Sequence, residues 1–318
     1  MSVAESGAML KQRCGPLAVR VRVAQHAPMQ WHCKNRTLEF PRRPLIMGIV
    51  NLNDDSFSGD GTLAVDEALA QARRMVADGA DIIDVGGESA RTNRAAIAVE
   101  EEIRRVRPFV EEFLAARAGW TARDDAQLQP AVLSVNTWRP EVARALLAAG
   151  GELLNDMSAL PTDENARLAA EHGASLLIMH SVGEPKVAHT GVMWRDVVGE
   201  QVRFFEEKMR LAERAGLPRE AIIIDPGLDF AKQRDDNLRL LRETERLVSL
   251  GRPVLMPISR KTVIGDVLGL PEPRDRDAGT WACLAAGVRR GVSIFRVHAV
   301  RESASCARVV WEVGGRQS

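Results

Sequence analysis

Hydrophobic residues recur along the chain in eight short runs, and each run ends on residues that can form hydrogen bonds or carry charge. Between the runs, apolar residues are spaced three or four positions apart, as in amphipathic helices. Strands that alternate with helices predict a parallel sheet, and eight repeats predict a (β/α)8 barrel. The runs and the polar residues after them are Leu45–Val50 and Asn51, Ile82–Val85 and Gly86–Ser89, Ala131–Val135 and Asn136–Thr137, Leu153–Leu154 and Asn155–Asp156, Ser175–Met179 and His180, Ile222–Ile224 and Asp225–Gly227, Pro253–Ile258 and Ser259–Lys261, and Ile294–Val297 and His298.

The helical stretches are plainest at five places, and glycines come directly after three of them. Gly79, Gly150 and Gly216 suit helix ends, because glycine readily adopts the left-handed conformation found there. The predicted helices are Asp66–Ala77, Val99–Ala116, Pro140–Ala149, Val197–Ala215 and Asp236–Leu250. Parallel barrel strands point their carboxyl ends at one face, where barrel enzymes assemble their active sites. We therefore expect the polar residues that end the runs to share one pocket.

The first 43 residues differ in character from the rest of the chain. We predict an N-terminal extension over residues 1–43 and the barrel over residues 44–318. Val19–Val23 alternates valine with arginine, which indicates a short half-exposed strand. A hairpin that caps the amino-terminal end of the barrel is the favoured interpretation, and a disordered leader is the alternative.

Charge and hydropathy narrow the class of partner. Lys plus Arg and Asp plus Glu both number 43, so no excess charge attracts nucleic acid or an anionic membrane. No apolar run approaches the roughly 20 residues of a membrane helix, and the N-terminus lacks the hydrophobic segment of a secretory signal. The four cysteines show no metal-binding or disulfide-rich spacing. We predict a cytoplasmic protein with reduced thiols that binds small molecules.

Basic residues gather after the last two predicted strands. Arg260 and Lys261 come after the seventh run, directly behind Ser259. Arg296 and His298 alternate on the eighth, so both side chains point to the same face. This region of a barrel often binds phosphate. A structural ion pair for Arg296 and a structural role for His298 are the alternatives, and the clustering favours an anion site.

A second group could recognise a planar ligand. Asn136, Asn155, Asp225 and Lys261 would place a carboxylate, amides and an ammonium at the barrel mouth. These groups match the edge of a heterocycle that has N–H donors and ring nitrogens. Buried polar groups without partners cost about 1–3 kcal/mol each, so the group needs either mutual pairing or a polar ligand. Pairing of Asp225 with Lys261 alone is the alternative.

Asn51 ends the first strand and is a candidate metal ligand. Its amide oxygen could bind Mg²⁺, which typically takes one or two protein oxygens together with water and phosphate oxygens. A simple turn residue is an equally weighted alternative. The acidic loop after Asn51 contains Asp55 and Phe57, and Phe57 has no obvious place in a core.

Several of these segments match, in order, the motifs of one enzyme family. Ile46–Asn51 with Asp55–Ser58 is similar to the first motif, and Gly79–Ser89 is similar to the second, which is highly specific. The later matches are Leu154–Met157, Met179–His180, Asp225–Gly227, Ser259–Lys261 and Arg296–His298. Over residues 44–313 the chain resembles the dihydropteroate synthases, which are pterin-binding barrel enzymes.

The resemblance implies a transferase of folate biosynthesis. In this family a pterin-methyl pyrophosphate loses pyrophosphate, and its methylene carbon is captured by the amine of p-aminobenzoate. The resemblance assigns Mg²⁺ to Asn51 and pyrophosphate to Arg91, Arg296 and His298. It assigns the pterin to Asn155, Asp225 and Lys261, with ring packing by Met179 and Phe230. It places Phe57 and Ser259 at the border of the amine pocket and gives Asp55 the ordering of the first loop. It also implies a homodimer. Asp55, Asp225 and Lys261 are the predicted catalytic residues.

Some positions depart from the family's motifs. Asn136 stands where an aspartate usually touches the pterin, and Asp229 stands where glycine is usual. Ala90 stands where the family commonly has a hydroxyl-bearing residue, and Thr92 stands where it commonly has proline. Asn136 supplies no negative charge to a developing cation, so we hypothesise that Asn136→Asp raises turnover. Three alternatives stay open. One is a paralogue that uses another arylamine, as in methanopterin-like cofactor synthesis. The others are a pterin-binding methyltransferase and a non-catalytic pterin-binding protein.

Overall fold

The computed structural model describes residues 28–53, 61–88, 95–187 and 189–314 of the chain. The strands are β1 (Met29–Cys33), β2 (Arg36–Phe40), β3 (Leu45–Asn51), β4 (Ile82–Gly86), β5 (Val132–Asn136), β6 (Leu153–Asp156), β7 (Ser175–Met179), β8 (Ile222–Asp225), β9 (Leu255–Met256) and β10 (Ile294–Val297). Strands β3 to β10 form one parallel sheet in the order β8-β7-β6-β5-β4-β3-β10-β9. A parallel bridge between Ile224 and Val254 brings the two ends of the sheet together. The predicted (β/α)8 barrel is confirmed.

Helices follow each of the barrel strands and pack around the sheet. They are α1 (Val65–Asp78), α2 (Val99–Ala116), α3 (Pro140–Ala148), α4 (Glu164–Glu171), α5 (Val197–Arg214), α6 (Arg234–Arg242), α7 (Glu245–Val248), α8 (Thr262–Leu268), α9 (Asp277–Arg289) and α10 (Val300–Val313). Helix α1 ends at Gly79, which has a φ of 107° and donates its N–H to the carbonyls of Met75 and Val76. This is the helix end that the glycine predicted. Within the described residues, no helix has both the length and the apolar character needed to cross a membrane.

The prediction of a single helix over residues 236–250 is wrong. The structure has α6 and α7 there, separated at Glu243 and Thr244. The Thr244 hydroxyl donates to the carbonyl of Leu240 at 2.8 Å and to that of Leu241 at 3.2 Å. A side-chain donor of this kind competes with the helical N–H for the same carbonyls and favours a break. The hydrophobic spacing continued across the break and concealed it.

A hairpin of β1 and β2 precedes the barrel, with Met29 opposite Phe40 in antiparallel register. Trp31 is fully buried and packs with the barrel's interior residues. Its indole N–H donates to the Ser175 hydroxyl on β7 at 3.0 Å. The buried Arg252 guanidinium donates to the carbonyl of Gln30 at 2.6 Å. The segment Val19–Val23, predicted as a strand, lies outside the described residues.

Two apolar cores hold the fold together. One lies between the sheet and the surrounding helices and includes Val85 and Phe109. The other fills the barrel and includes Met47, Leu177 and Ile223. Because successive strand residues point to opposite faces, each of the barrel strands β3 to β10 contributes to both cores.

The interior of the barrel changes from apolar to polar along the strands. On β5 the inward side chains run from Val132 through Ser134 to Asn136. On β8 they run from Ile223 to Asp225. The strand ends are therefore polar on the side that faces the barrel axis.

Candidate active site

A cavity of about 280 Å³ lies at the carboxyl ends of the barrel strands. Its lining comes from all eight barrel strands or from the segments directly after them. The predicted site residues that line it are Asn51, Asn136, Asn155, Met179, Asp225, Phe230, Ser259, Lys261, Arg296 and His298. Residues scattered over most of the chain are thus brought to one place, as parallel barrel topology requires.

Four of the predicted site residues are not found in this lining. The Arg260 guanidinium turns away from the cavity and pairs with Asp277 of α9 at 2.8 Å, so the structure does not place it with the other basic residues of the anion site. Arg260 has a φ of 59°, in the left-handed region, and lies in a turn between β9 and α8. Asp55, Phe57 and Arg91 lie outside the described residues.

A buried carboxylate on β4 organises the floor of the cavity. Asp84 is fully buried and accepts a hydrogen bond from the Ser134 hydroxyl at 2.6 Å. It also accepts from the Nδ2 atoms of Asn136 and Asn155, at 3.2 and 3.1 Å. Its fourth donor is Nε of Arg296, at 2.8 Å. One carboxylate therefore links strands β4, β5, β6 and β10 beneath the cavity.

Asp225 supplies a carboxylate to the cavity wall. Its Oδ1 accepts from the backbone N–H of Gly227 at 2.7 Å. Burial raises the pKa of Asp225 to about 6, although this N–H and the cations Lys261, Arg296 and Lys232 act in the opposite direction. The group therefore changes charge close to neutral pH.

Lys261 approaches the same wall. Its ammonium lies 4.8 Å from the centroid of the Phe230 ring, within the range of a cation–π contact. Burial lowers the pKa of Lys261, and the carboxylates of Asp229 and Asp225 oppose that shift. Lys261 therefore lies between two carboxylates and the Phe230 ring on one wall of the cavity.

The ends of the last two strands are tied together. The Ser259 hydroxyl lies 2.9 Å from Nδ1 of His298 and accepts from the backbone N–H of His298 at 3.2 Å. This contact fixes the His298 ring beside Arg296. The two basic side chains therefore stand on one wall, as their alternation predicted.

The donors near Asn51 suit a metal that is held only in part by protein. Asn51 lines the cavity, and its side chain contains an amide oxygen, a type of ligand that Mg²⁺ accepts. Within the described part of the chain, no group of three or more His, Cys, Asp or Glu side chains could hold a metal ion. Mg²⁺ commonly keeps several waters and binds phosphate oxygens of a substrate, so this donor set fits Mg²⁺ that arrives with a phosphate ester.

Comparison with known proteins supports one family. The family model described as pterin binding enzyme matches residues 47–298. A dihydropteroate synthase of Synechocystis is 36% identical over 273 residues, which is 85% of this chain and 90% of the relative. The chain belongs to the dihydropteroate synthase family.

Solved structures of family members show the same fold. The Xanthomonas albilineans dihydropteroate synthase with 4-aminobenzoic acid is 36% identical, with a TM-score of 0.78 over 91% of this chain and 99% of that one. A structure of the X. albilineans enzyme with 7,8-dihydropteroate is 34% identical, with a TM-score of 0.74 over 90% of this chain and 98% of that one. The prediction of a transferase of the dihydropteroate synthase type is confirmed.

The sequence patterns of this dihydropteroate synthase family member did not indicate a role for Asp84. The residue stood inside a matched motif, but its partners on β5, β6 and β10 are distant in sequence. A charged residue in the middle of the apolar run Ile82–Val85 was the available signal. Burying a carboxylate requires donors around it, so such a residue predicts a polar network.

The sequence patterns also did not indicate a role for Lys232. Its ammonium is buried and donates to the carbonyls of Gly227, Phe230 and His180, at 2.9, 2.8 and 3.3 Å. Burial lowers the pKa of Lys232 to about 7, against the attraction of Asp225. These bonds hold the loop between β8 and α6, which carries Phe230 to the cavity.

Asp229 lies in that loop and lines the cavity. Its Oδ2 accepts from the backbone N–H of Thr262 at 2.7 Å, and its Oδ1 accepts from Nδ2 of Asn237 at 3.1 Å. Its φ is 69°, a value that favours glycine, the residue usual here in the family. The two hydrogen bonds offset the strain and join the β8–α6 loop to the start of α8.

Glu88, just after β4, connects three loops at the cavity mouth. Its carboxylate pairs with Arg139 at 2.7 Å and with Lys186 at 2.9 Å. Arg139 lies after β5 and Lys186 lies after β7. Glu88 itself lines the cavity, so its ion pairs with Arg139 and Lys186 hold together the loops at the rim of the site.

Proposed function

We propose that this enzyme condenses 6-hydroxymethyl-7,8-dihydropterin pyrophosphate with p-aminobenzoate and releases pyrophosphate. One observation carries the proposal: a cavity with carboxylate and amide acceptors on one side has the basic pair Arg296 and His298 on another. This arrangement matches a ligand with a polar heterocycle and an anionic tail. The X. albilineans structures with 4-aminobenzoic acid and with 7,8-dihydropteroate support the choice of amine and product.

The heterocycle would bind among Asn136, Asn155, Asp225 and Lys261. A carboxylate is a suitable acceptor for the adjacent N–H groups of an aminopyrimidine ring, because two parallel hydrogen bonds can form. The Lys261 ammonium is the complementary donor for a ring carbonyl or ring nitrogen. Met179 and Phe230 provide apolar and aromatic surface for the faces of the ring.

The pyrophosphate would bind to Arg296 and His298, with Arg91 as a further predicted contact. A guanidinium can offer two parallel N–H groups to phosphate oxygens. Asp84 holds Arg296 from below through Nε, which leaves the terminal nitrogens of the fork for the ligand. Ser259 holds His298, and its position also borders the proposed amine pocket.

In the reaction the bond between the pterin methylene carbon and the pyrophosphate oxygen breaks, and its electron pair leaves with pyrophosphate. The amine nitrogen supplies the electron pair of the new carbon–nitrogen bond and releases a proton to solvent or to pyrophosphate. The protein therefore has to stabilise negative charge on the leaving group and positive charge on the methylene carbon. Arg296 and His298 serve the first task, and the Asp225 carboxylate, through the electron-rich ring, serves the second.

We also propose Mg²⁺ as a cofactor, with the Asn51 amide oxygen as its protein ligand. Bound Mg²⁺ would neutralise charge on the pyrophosphate. Asp55, one of the predicted catalytic residues, would order the first loop when the site closes. The homodimer and the cytoplasmic location stay predictions.

A mass-spectrometric assay tests the proposed function against its alternatives. The wild-type enzyme is incubated with the pterin pyrophosphate and either p-aminobenzoate or a series of other anilines, and pyrophosphate release is measured in parallel. We expect pyrophosphate and the mass of dihydropteroate, with p-aminobenzoate as the preferred amine. Release of pyrophosphate with a preferred product of another mass would assign the altered-amine alternative.

Absence of pyrophosphate release would contradict the synthase proposal and favour a methyltransferase or a non-catalytic protein. Arg296→Ala is the matched negative control, because it removes a proposed pyrophosphate contact and should lower the rate. Arg308→Ala is the surface control, since Arg308 is half exposed and pairs with Asp125 away from the cavity.

A further inference from the structure

Asp84 does not line the cavity, yet three of the four groups that donate to it do. We propose that Asp84 is a positioning residue that fixes the amides of Asn136 and Asn155 with their carbonyl oxygens toward the ligand, and so selects a reduced pterin over an oxidised one. This inference rests on the proposed function, because it concerns the pterin end of the same cavity.

The orientation of both amides is set by hydrogen-bond chemistry. An ionised carboxylate only accepts hydrogen bonds, so an amide that contacts it must turn its NH2 group toward it. Nδ2 of Asn136 and Nδ2 of Asn155 both contact Oδ2 of Asp84, at 3.2 and 3.1 Å. The carbonyl oxygen of each amide then points away from Asp84. Since both residues line the cavity above Asp84, these oxygens are offered to the ligand.

The same contact explains how Asn136 can stand where aspartate is usual in the family. An aspartate there would offer the ligand a carboxylate oxygen. Asn136 offers an amide oxygen instead, and Asp84 prevents the amide from presenting its NH2 group in its place. The hydrogen-bond acceptor is kept while the negative charge is lost. The negative charge of the network resides on Asp84, which is fully buried and is paired with Arg296.

The two acceptors do not discriminate equally among pterins. If N3–H and one hydrogen of the 2-amino group meet Asp225, the next groups along that edge are the second 2-amino hydrogen, the N1 lone pair and N8. The Asn155 oxygen can accept from the 2-amino group, and the Asn136 oxygen lies toward N8. Asn155 and Asn136 lie on β6 and β5, two and three strands from Asp225 around the barrel. N8 carries a hydrogen in 7,8-dihydropterin and only a lone pair in the oxidised ring. A carbonyl oxygen can accept a hydrogen bond from N8–H of the dihydropterin. In the oxidised ring, the N8 lone pair and the carbonyl oxygen would be two acceptors facing each other.

Two substitutions of Asp84 separate acceptor geometry from charge. In Asp84→Asn, the side-chain oxygen can still accept from Asn136, Asn155 and Arg296, while the NH2 group donates to the Ser134 hydroxyl. In Asp84→Leu, the acceptor is lost at similar volume and both amides can rotate. Binding of 6-hydroxymethyl-7,8-dihydropterin and of its oxidised form is measured by anaerobic calorimetry on each variant and on the wild type.

We expect the wild type to prefer the reduced pterin by about tenfold or more, a difference of about 1.4 kcal/mol. Asp84→Asn should keep this preference within about threefold, and Asp84→Leu should reduce it by about fivefold or more. The inference is overturned if Asp84→Leu keeps the wild-type preference, or if Asp84→Asn loses it as completely as Asp84→Leu. Failure of the wild type to bind either pterin would overturn the proposed function itself, whereas equal binding of both overturns only this inference.

A measurement on the wild type covers the case in which Asp84→Leu does not fold. The side-chain NH2 groups of Asn136 and Asn155 are assigned in ¹⁵N–¹H spectra by comparison with Asn136→Ser and Asn155→Ser. Amides held by the buried Asp84 carboxylate should exchange hydrogen with water far more slowly than the side-chain amide of Gln129, which is at the surface. Exchange at the surface rate for both asparagines would overturn the proposal.

Discussion

Nε of Arg296 donates to Oδ2 of Asp84 at 2.8 Å, joining residues that are 212 positions apart in the sequence. The Asp84 side chain is fully buried, whereas the Arg296 side chain is 24% exposed toward the cavity. The carboxylate therefore anchors the guanidinium from beneath and leaves its terminal N–H groups for the proposed pyrophosphate. In the proposed function, this pair connects the pterin end of the cavity to the pyrophosphate end.

Arg296→Ala should weaken binding of the pterin pyrophosphate by about 2–4 kcal/mol if the contacts are desolvated. It should also lower the free energy of unfolding by about 1–3 kcal/mol, because Asp84 loses a buried charged partner. Calorimetric titration and urea denaturation measure the two effects. Arg296→Lys keeps the charge without the fork and should fall between wild type and alanine. Unchanged affinity in Arg296→Ala would remove the anion-site assignment.

Asp225 should impose a pH dependence on pterin binding. Its pKa is raised to about 6 by burial. The proposed pairing of Asp225 with two N–H groups of the pterin needs the ionised carboxylate. We expect kcat/KM for the pterin substrate to fall as the pH drops through about 6. Asp225→Asn should lack this pH dependence. Its kcat/KM should be about 10–100-fold below that of wild type, which corresponds to the free energy of a hydrogen bond to a charged group. A wild-type profile that is flat between pH 5 and 7 would contradict this role.

The same pKa also predicts the stability of Asp225→Asn. The folded-state pKa of Asp225 lies above the ordinary value of 3.8, so wild type loses stability as pH rises through the folded value. Asparagine does not titrate. The unfolding free energy of Asp225→Asn minus that of wild type should therefore increase by up to about 3 kcal/mol between pH 4 and pH 8. Urea denaturation at both pH values checks the sign, and a relative loss at pH 8 would refute it.

Asn136→Asp should raise turnover only at higher pH. The new carboxylate would lie next to Asp84, because Nδ2 of Asn136 is 3.2 Å from Oδ2 of Asp84. Two neighbouring carboxylates share a proton, so one of their pKa values rises. The additional negative charge that could stabilise the methylene cation then appears only above that raised pKa. The ratio of variant to wild-type kcat should increase with pH, and a ratio that is constant or below one throughout would contradict the charge hypothesis.

Asp229→Gly should improve the use of an anionic amine. The carboxylate of Asp229 lines the cavity, and its removal reduces repulsion of the p-aminobenzoate anion. Glycine tolerates the φ of 69°. We expect KM for p-aminobenzoate to fall about threefold to tenfold, with little change for the uncharged p-aminobenzamide. Asp229→Asn is the matched variant that removes charge but keeps an acceptor, and equal effects on both amines would rule out an electrostatic cause.

Trp31 should matter for stability and not for chemistry. It fills the amino-terminal end of the barrel, opposite the cavity, and donates to Ser175. Trp31→Ala should cost about 3–5 kcal/mol of unfolding free energy. Trp31→Phe keeps most of the packing and should cost about 1–3 kcal/mol, mainly for the lost hydrogen bond. Per folded molecule, kcat should stay at the wild-type value, and a large drop would show that the hairpin influences the site.

Local sequence patterns were enough to predict the barrel and most of the cavity lining. Leu45–Val50 and Ile294–Val297 appeared as apolar runs and became β3 and β10 with bounds within one residue. Strand alternation also placed Arg296 and His298 on one face. These features are local, because the two-residue period of a strand and the parallel direction of the strands dictate which side chains meet at the mouth.

The pairing of side chains, in contrast, followed from the folded barrel and not from local patterns. Arg260 looked like a member of the anion site, yet a left-handed turn directs it to Asp277. Asp84 looked like an interruption of an apolar strand, yet it collects donors from β5, β6 and β10. Periodicity specifies a face but not a partner across the barrel, and the pairing of buried charges depends on distances that arise only when the sheet closes.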